Sequence, residues 1–141
     1  MWRFAEVVLE HGRGGKMAVE RKQKIVIAGK TVPLPCFFPS VSSVKTNLLP
    51  VDYIELLAAA AHPLYLISAY DIASSSPEHQ HRILCAIRQS RTKGSVILLD
   101  SGNYEGFWKG VIDWSAERFH AICNTYDHDI GFCYDNQDPP H

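Results

Sequence analysis

No Cys-x-x-Cys pair occurs among the four cysteines, Cys36, Cys85, Cys123 and Cys133. They read as reduced, mostly buried thiols, and neither a disulfide framework nor a metal site follows from them. The opening residues MWRFAEVVLEHGRGG lack the apolar centre of a secretory leader, and no later apolar run is long enough to span a bilayer. The expectation is a cytoplasmic protein with no membrane contact. An excess of charge is missing too: 14 Lys and Arg against 15 Asp and Glu leave a formal charge of −1. Contact with a nucleic acid would therefore need a local patch, not an overall basic surface. No low-complexity linker divides the chain, and 46% hydrophobic residues in 141 are enough for one globular domain with a real core.

What charge there is lies unevenly. Arg3, Arg13, Lys16, Arg21, Lys22, Lys24 and Lys30 make the amino end basic, and Asp113, Glu117, Asp127, Asp129, Asp135 and Asp138 make the carboxyl end acidic. A basic start can meet phosphate, but a solvated hairpin face explains it as well. From Trp2 to about Val32 the pattern is two or three short, partly exposed strands, Phe4 to Leu9 and Lys24 to Ala28 among them, with Gly12, Gly14, Gly15 and Gly29 at turns. This predicts an antiparallel amino-terminal cap over residues 1–32.

Beyond the cap, helices and strands alternate. Pro35 to Val41 is a short apolar strand bounded by prolines and leading into a loop with Ser40, Ser42, Ser43, Lys45 and Thr46. A helix from Pro50 to Ala61 would bury Ile54, Leu57, Ala58 and Ala61, ending at His62-Pro63. Leu64 to Ser68 is a second strand, breaking at Ala69-Tyr70-Asp71. Ser74-Ser75-Ser76 then caps a helix that starts at Pro77, buries Ile83, Leu84 and Ile87, and stops near Gly94. Val96 to Leu99 follows as a third strand. Ser115 caps a further helix with Phe119, Ile122, Cys123 and Tyr126 inward, and Asp129 to Tyr134 is a fourth strand ending at Asp135.

The central stretch is Ser95 to Trp108, SVILLDSGNYEGFW. Its run Val96-Ile97-Leu98-Leu99 suits a strand buried on both faces, and it breaks at Asp100 and the flexible turn Ser101-Gly102-Asn103. In parallel α/β proteins, ligands bind beyond the carboxyl ends of the strands, so Asp100 and Tyr104 are expected to face one pocket. A reading of equal weight has Asp100 bonding only the turn's own amides and Tyr104 packing. The order is α/β, a cap followed by βαβαβαβ, with strands about every thirty residues as parallel crossovers require. Either a small open sheet or the first half of a (β/α)8 barrel of roughly 250 residues fits. The ending at Asp138-Pro139-Pro140-His141, directly after a strand, favours the half-barrel, a truncated chain and self-association through an open sheet edge.

Four segments together resemble the tRNA-guanine transglycosylase family, enzymes of queuosine and archaeosine synthesis, and its DNA-modifying relatives. Leu34 to Val41 with Val44-Lys45 is similar to the family's "TPxFMPVGT…VK", and Leu66 to Ile72 stands where the family has "LGNTYHL". Ile97 to Glu105 is similar to "ILTDSGGYQ", and Asp129 to Asp135 to "SDIVMAFDE". Departures are Asn103 for a glycine, Glu105 for a glutamine, Ser68 for an asparagine and Asp71 for a histidine. The resemblance implies a capped (β/α)8 barrel and a transferase that exchanges guanine for a 7-deazaguanine in tRNA or DNA. It implies Asp100 as the acid/base, Tyr104 as the aromatic that stacks the base and Asp135 as acceptor of guanine's paired donors, with Ser68 and Ser101 also in the substrate pocket. The family's nucleophilic aspartate and structural zinc site lie further along such chains, so no cofactor is expected here. Two rivals stay open: a glycoside hydrolase using paired carboxylates such as Asp71 with Asp100 or Asp135, and a non-catalytic half that binds a base or another subunit.

Overall fold

The computed structural model of the chain describes residues 6–8, 23–44 and 46–134, and the chain divides into two compact units, Met1–Phe37 and Phe38–His141. In the first unit, β1 (Glu6–Val8), β2 (Gln23–Ile27) and β3 (Lys30–Leu34) form an antiparallel sheet in that order. β2 and β3 are joined by Ala28 and Gly29 alone, with φ of 49° and 82°. Positive φ at both central residues is what a two-residue hairpin needs if its twist is to match the strands. The cap's last strand thus passes Val32 and ends at Leu34. Pro33 is accommodated because β3 is an edge strand, where a missing amide hydrogen costs little. The expected turns at Gly12, Gly14 and Gly15 lie outside the described residues.

The second unit is a parallel sheet in the order β4 (Ser40–Val41), β5 (Leu64–Ser68), β6 (Val96–Asp100) and β7 (Ile130–Gly131). Its helices are α1 (Pro50–Ala59), α2 (Ala69–Ser74), α3 (Pro77–Thr92), α4 (Asn103–Trp108) and α5 (Ala116–Thr125). The architecture is α/β. β5 and β6 are buried along almost their whole length, and Tyr65, Ile67, Ile97 and Leu99 meet Ile54, Ile83 and Ile87 from the helices in one core. A buried hydroxyl is satisfied inside it, Tyr65 donating to Ser90 Oγ at 2.7 Å.

Helix ends follow their local chemistry. Ser76 Oγ accepts from the His79 amide at 3.2 Å and Pro77 opens α3, as a capped first turn requires. α1 stops at Ala59, short of the expected Ala61, and Ala61 is exposed with φ 51°. The amides of Ala61 and His62 turn back to the carbonyls of Ala58 (3.2 Å) and Leu57 (2.9 Å), closing the helix in the left-handed C-terminal motif; Pro63 forbids continuation.

Several sequence expectations are corrected. The strand expected over Pro35–Val41 is only Ser40–Val41, because Pro35 and Pro39 bring no amide hydrogens to a ladder and Phe37 is 77% exposed. The strand expected over Asp129–Tyr134 is Ile130–Gly131. The breaks after β5 and β6 are short helices, α2 and α4, not plain turns. In α5, Phe119 is buried while Ile122 and Cys123 are half-buried. None of the four cysteines is buried: Cys85 and Cys133 are exposed, and Cys36 and Cys123 are half-buried. Among the described residues, no helix is long and apolar enough to cross a membrane.

Candidate functional site

A parallel sheet delivers the carboxyl ends of its strands to one side. Ser68 and Asp100, the last residues of β5 and β6, are register partners, so the segments that follow them emerge side by side. Asp100 accepts hydrogen bonds from the backbone amides of Ser101 and Gly102. Burial pushes its carboxyl above the usual carboxylate range; the Ser101 and Gly102 amides oppose the rise and the nearby Glu105 adds to it. The group therefore holds a proton more readily than an exposed aspartate.

The turn after Asp100 is tightly packed, not flexible as its composition suggests. Gly102 has φ 77°, and a Cβ there would lie 2.4 Å from Tyr70 Cβ and 2.8 Å from Ser68 Oγ. Only glycine allows this approach of the β6 turn to the β5 turn. Ser101 is buried, its carbonyl accepting from Trp114 Nε1 at 2.9 Å and its Oγ from the Asn103 amide at 3.5 Å. Ser68 is buried as well and caps α2 by accepting from the Asp71 amide at 3.3 Å. Both serines hold the two turns in place. Tyr104 stands on the outer side of α4, 48% exposed and edge-on to Trp108 at 6.1 Å, while its neighbours Glu105 and Gly106 face inward. Asp135 lies outside the described residues.

The structure gathers a second group, of which the sequence singles out only Asp71, as one of the paired carboxylates of the hydrolase reading. Asp71, 1% exposed, accepts from the Ser43 amide at 2.7 Å and from the Ser43 hydroxyl. Lys109 Nζ donates to Ser43 Oγ at 2.5 Å, lies 3.7 Å from Asp71 Oδ1 and sits 5.2 Å above the Tyr70 ring. Glu105, 3% exposed, accepts from the Ser42 hydroxyl at 2.6 Å, and its other carboxyl oxygen has no hydrogen-bond partner among the described residues. Burial pushes the Asp71 carboxyl upward, opposed by its Ser43 bonds and Lys109 and assisted by Glu105. Glu105 thus acts electrostatically on both Asp71 and Asp100. A signal was present: Ser42 and Ser43, Asp71, and Glu105 with Lys109 each follow one of three successive parallel strands. Among the described residues, no three His, Cys, Asp or Glu side chains converge to hold a metal ion.

The chain matches none of the known protein-family models and none of the curated proteins.

Proposed function

We propose that this chain is a base-exchange transglycosylase-like protein, acting on guanine and a 7-deazaguanine in tRNA or DNA. In this reading its four parallel strands are the first part of a (β/α)8 barrel and its work is done in the cytoplasm. The observation that carries the reading is Asp100: a half-buried carboxyl at a strand end, raised by its surroundings and held by two amides, suits proton exchange with a leaving or entering base. Tyr104, 48% exposed and edge-on to Trp108, offers a ring face for that base. The amides of Ser101 and Gly102 orient the carboxyl, and Ser68 and Ser101 keep the turn rigid. The nucleophile at the sugar carbon is not among the matching segments, so exchange by this chain needs a carboxylate from a longer polypeptide or a partner.

The experiment is single-turnover exchange of labelled guanine into tRNA and into DNA by a longer polypeptide that carries this chain together with the missing carboxylate, with thermal melts of the same samples. Asp100→Asn should fold and bind base while exchange falls by about 10²–10⁴-fold, the usual worth of a positioned acid or base. Undiminished exchange removes the assignment. Base binding without any exchange in wild type supports a non-catalytic module, and sugar release from an aryl glycoside without exchange supports a hydrolase.

A further inference from the structure

Cys85 stands exposed on α3, and His81, one turn earlier on the same helix, brings its Nε2 to 3.7 Å from Cys85 Sγ. A tetrahedral zinc holding a histidine nitrogen at about 2.05 Å and a thiolate sulfur at about 2.3 Å keeps the two about 3.5 Å apart. The pair therefore already stands near the bite of such an ion, as ligands four residues apart on one helix face do. Imidazole with thiolate favours zinc over calcium or magnesium, which take oxygen ligands. Two ligands are half of a closed tetrahedral set, and among the described residues no third His, Cys, Asp or Glu side chain joins them.

The other half is supplied by the same helix of a second copy. Glu78, His81, Cys85 and Arg88 are all exposed and recur at intervals of three and four residues, which places them in one stripe along α3. When a second α3 lies antiparallel on this stripe, with the two-fold axis midway between His81 and Cys85, His81 faces Cys85 of the second copy and Glu78 faces its Arg88. Ligand meets ligand and acid meets base, so the stripe is self-complementary, as an isologous contact requires. A parallel pairing would instead set Glu78 against Glu78 and Arg88 against Arg88. We propose that a zinc ion joins two copies of this chain through α3, held by His81 and Cys85 of each copy and flanked by two Glu78–Arg88 pairs. Binding deprotonates both thiols and releases two protons per ion, while each imidazole binds through Nε2 and keeps its proton on Nδ1. The inference stands apart from the Asp100 reading, since its readout needs no base exchange.

The test is a cobalt(II) titration of the full 141-residue chain under reducing conditions, followed by absorbance, with sedimentation velocity in zinc and in a chelator. Expected are the intense visible bands of tetrahedral cobalt with a thiolate charge-transfer band, saturating at one ion per two chains, and a dimer that zinc forms and the chelator dissolves. Cys85→Ser and His81→Gln, both at exposed positions, should keep the fold by its amide spectrum and lose bands and dimer, whereas Cys133→Ser should keep both. Glu78→Arg should weaken the zinc-bound dimer about fivefold, and adding Arg88→Glu to it should restore the wild-type value. Saturation at one ion per chain without a dimer, a dimer indifferent to the chelator, bands that survive in Cys85→Ser, or a double charge reversal no better than the single one overturns the proposal.

Discussion

Gly102 is the residue whose replacement the structure tolerates least. Alanine there would carry a left-handed φ and force a Cβ into the backbone and Cβ of Tyr70. Gly102→Ala should lower unfolding free energy by about 2 kcal/mol or more, read by urea denaturation, and a change below about 0.5 kcal/mol would show that the two turns can part. Asp100 makes a second, pH-dependent prediction. A carboxyl raised in the folded state binds its proton more tightly there than in the unfolded chain, so its contribution favours the fold at low pH and is lost as pH rises through the raised value. Asp100→Asn keeps an oxygen for the turn amides and removes the half-buried charge. The variant should therefore gain stability relative to wild type at pH 7, and the gain should shrink as pH falls toward the ordinary value of 3.8. Thermal melts of both proteins between pH 4 and about 8 check the sign. A gap that widens on acidification would mean that the amide bonds outweigh the burial.

β7 shows how little ladder an element needs when side chains brace it. Its two residues are flanked by bonds from Asp129 N to Ile97 O (2.8 Å) and from Phe132 N to Leu99 O (2.9 Å). Asp129 also accepts from the Ile97 amide at 2.9 Å and lies 3.1 Å from Arg91 Nη1 on α3, with its side chain 1% exposed. One carboxylate thus ties strand β6, helix α3 and the start of β7 together. Asp129→Ala should cost about 2–4 kcal/mol by urea denaturation, somewhat under the usual loss for a broken buried pair because Arg91 keeps contact with water. A loss under about 1 kcal/mol would assign the bracing to the backbone alone.

At the scale of the whole molecule, the edges of the parallel sheet are β4 and β7, each two residues long. Short edges discourage strand addition, yet Phe132 beside β7 is 46% exposed. If the chain pairs through this edge, sedimentation velocity should show a larger species growing with concentration, and Phe132→Glu should return a monomer. A wild type that stays monomeric throughout leaves this edge without a partner.

The helices at Pro50, Pro77 and Ala116 and the strands Leu64–Ser68 and Val96–Asp100 were legible in the sequence because their signals are local. Capping serines at Ser76 and Ser115, prolines in first turns, helical spacing of apolar residues and unbroken apolar runs all act within a few positions. The placing of Asp100 at a strand end was legible for the same reason. Strand lengths at β4 and β7 were not, since an edge strand's extent depends on the neighbour it meets. Nor were α2 and α4, six-residue helices too short to show a helical repeat of apolar positions. The grouping of Ser43 with Asp71, 28 positions away, and with Lys109, 66 away, was decided by the tertiary structure alone. Parallel strands lying side by side bring their following loops together whatever the length of chain between them, and no local pattern records that distance.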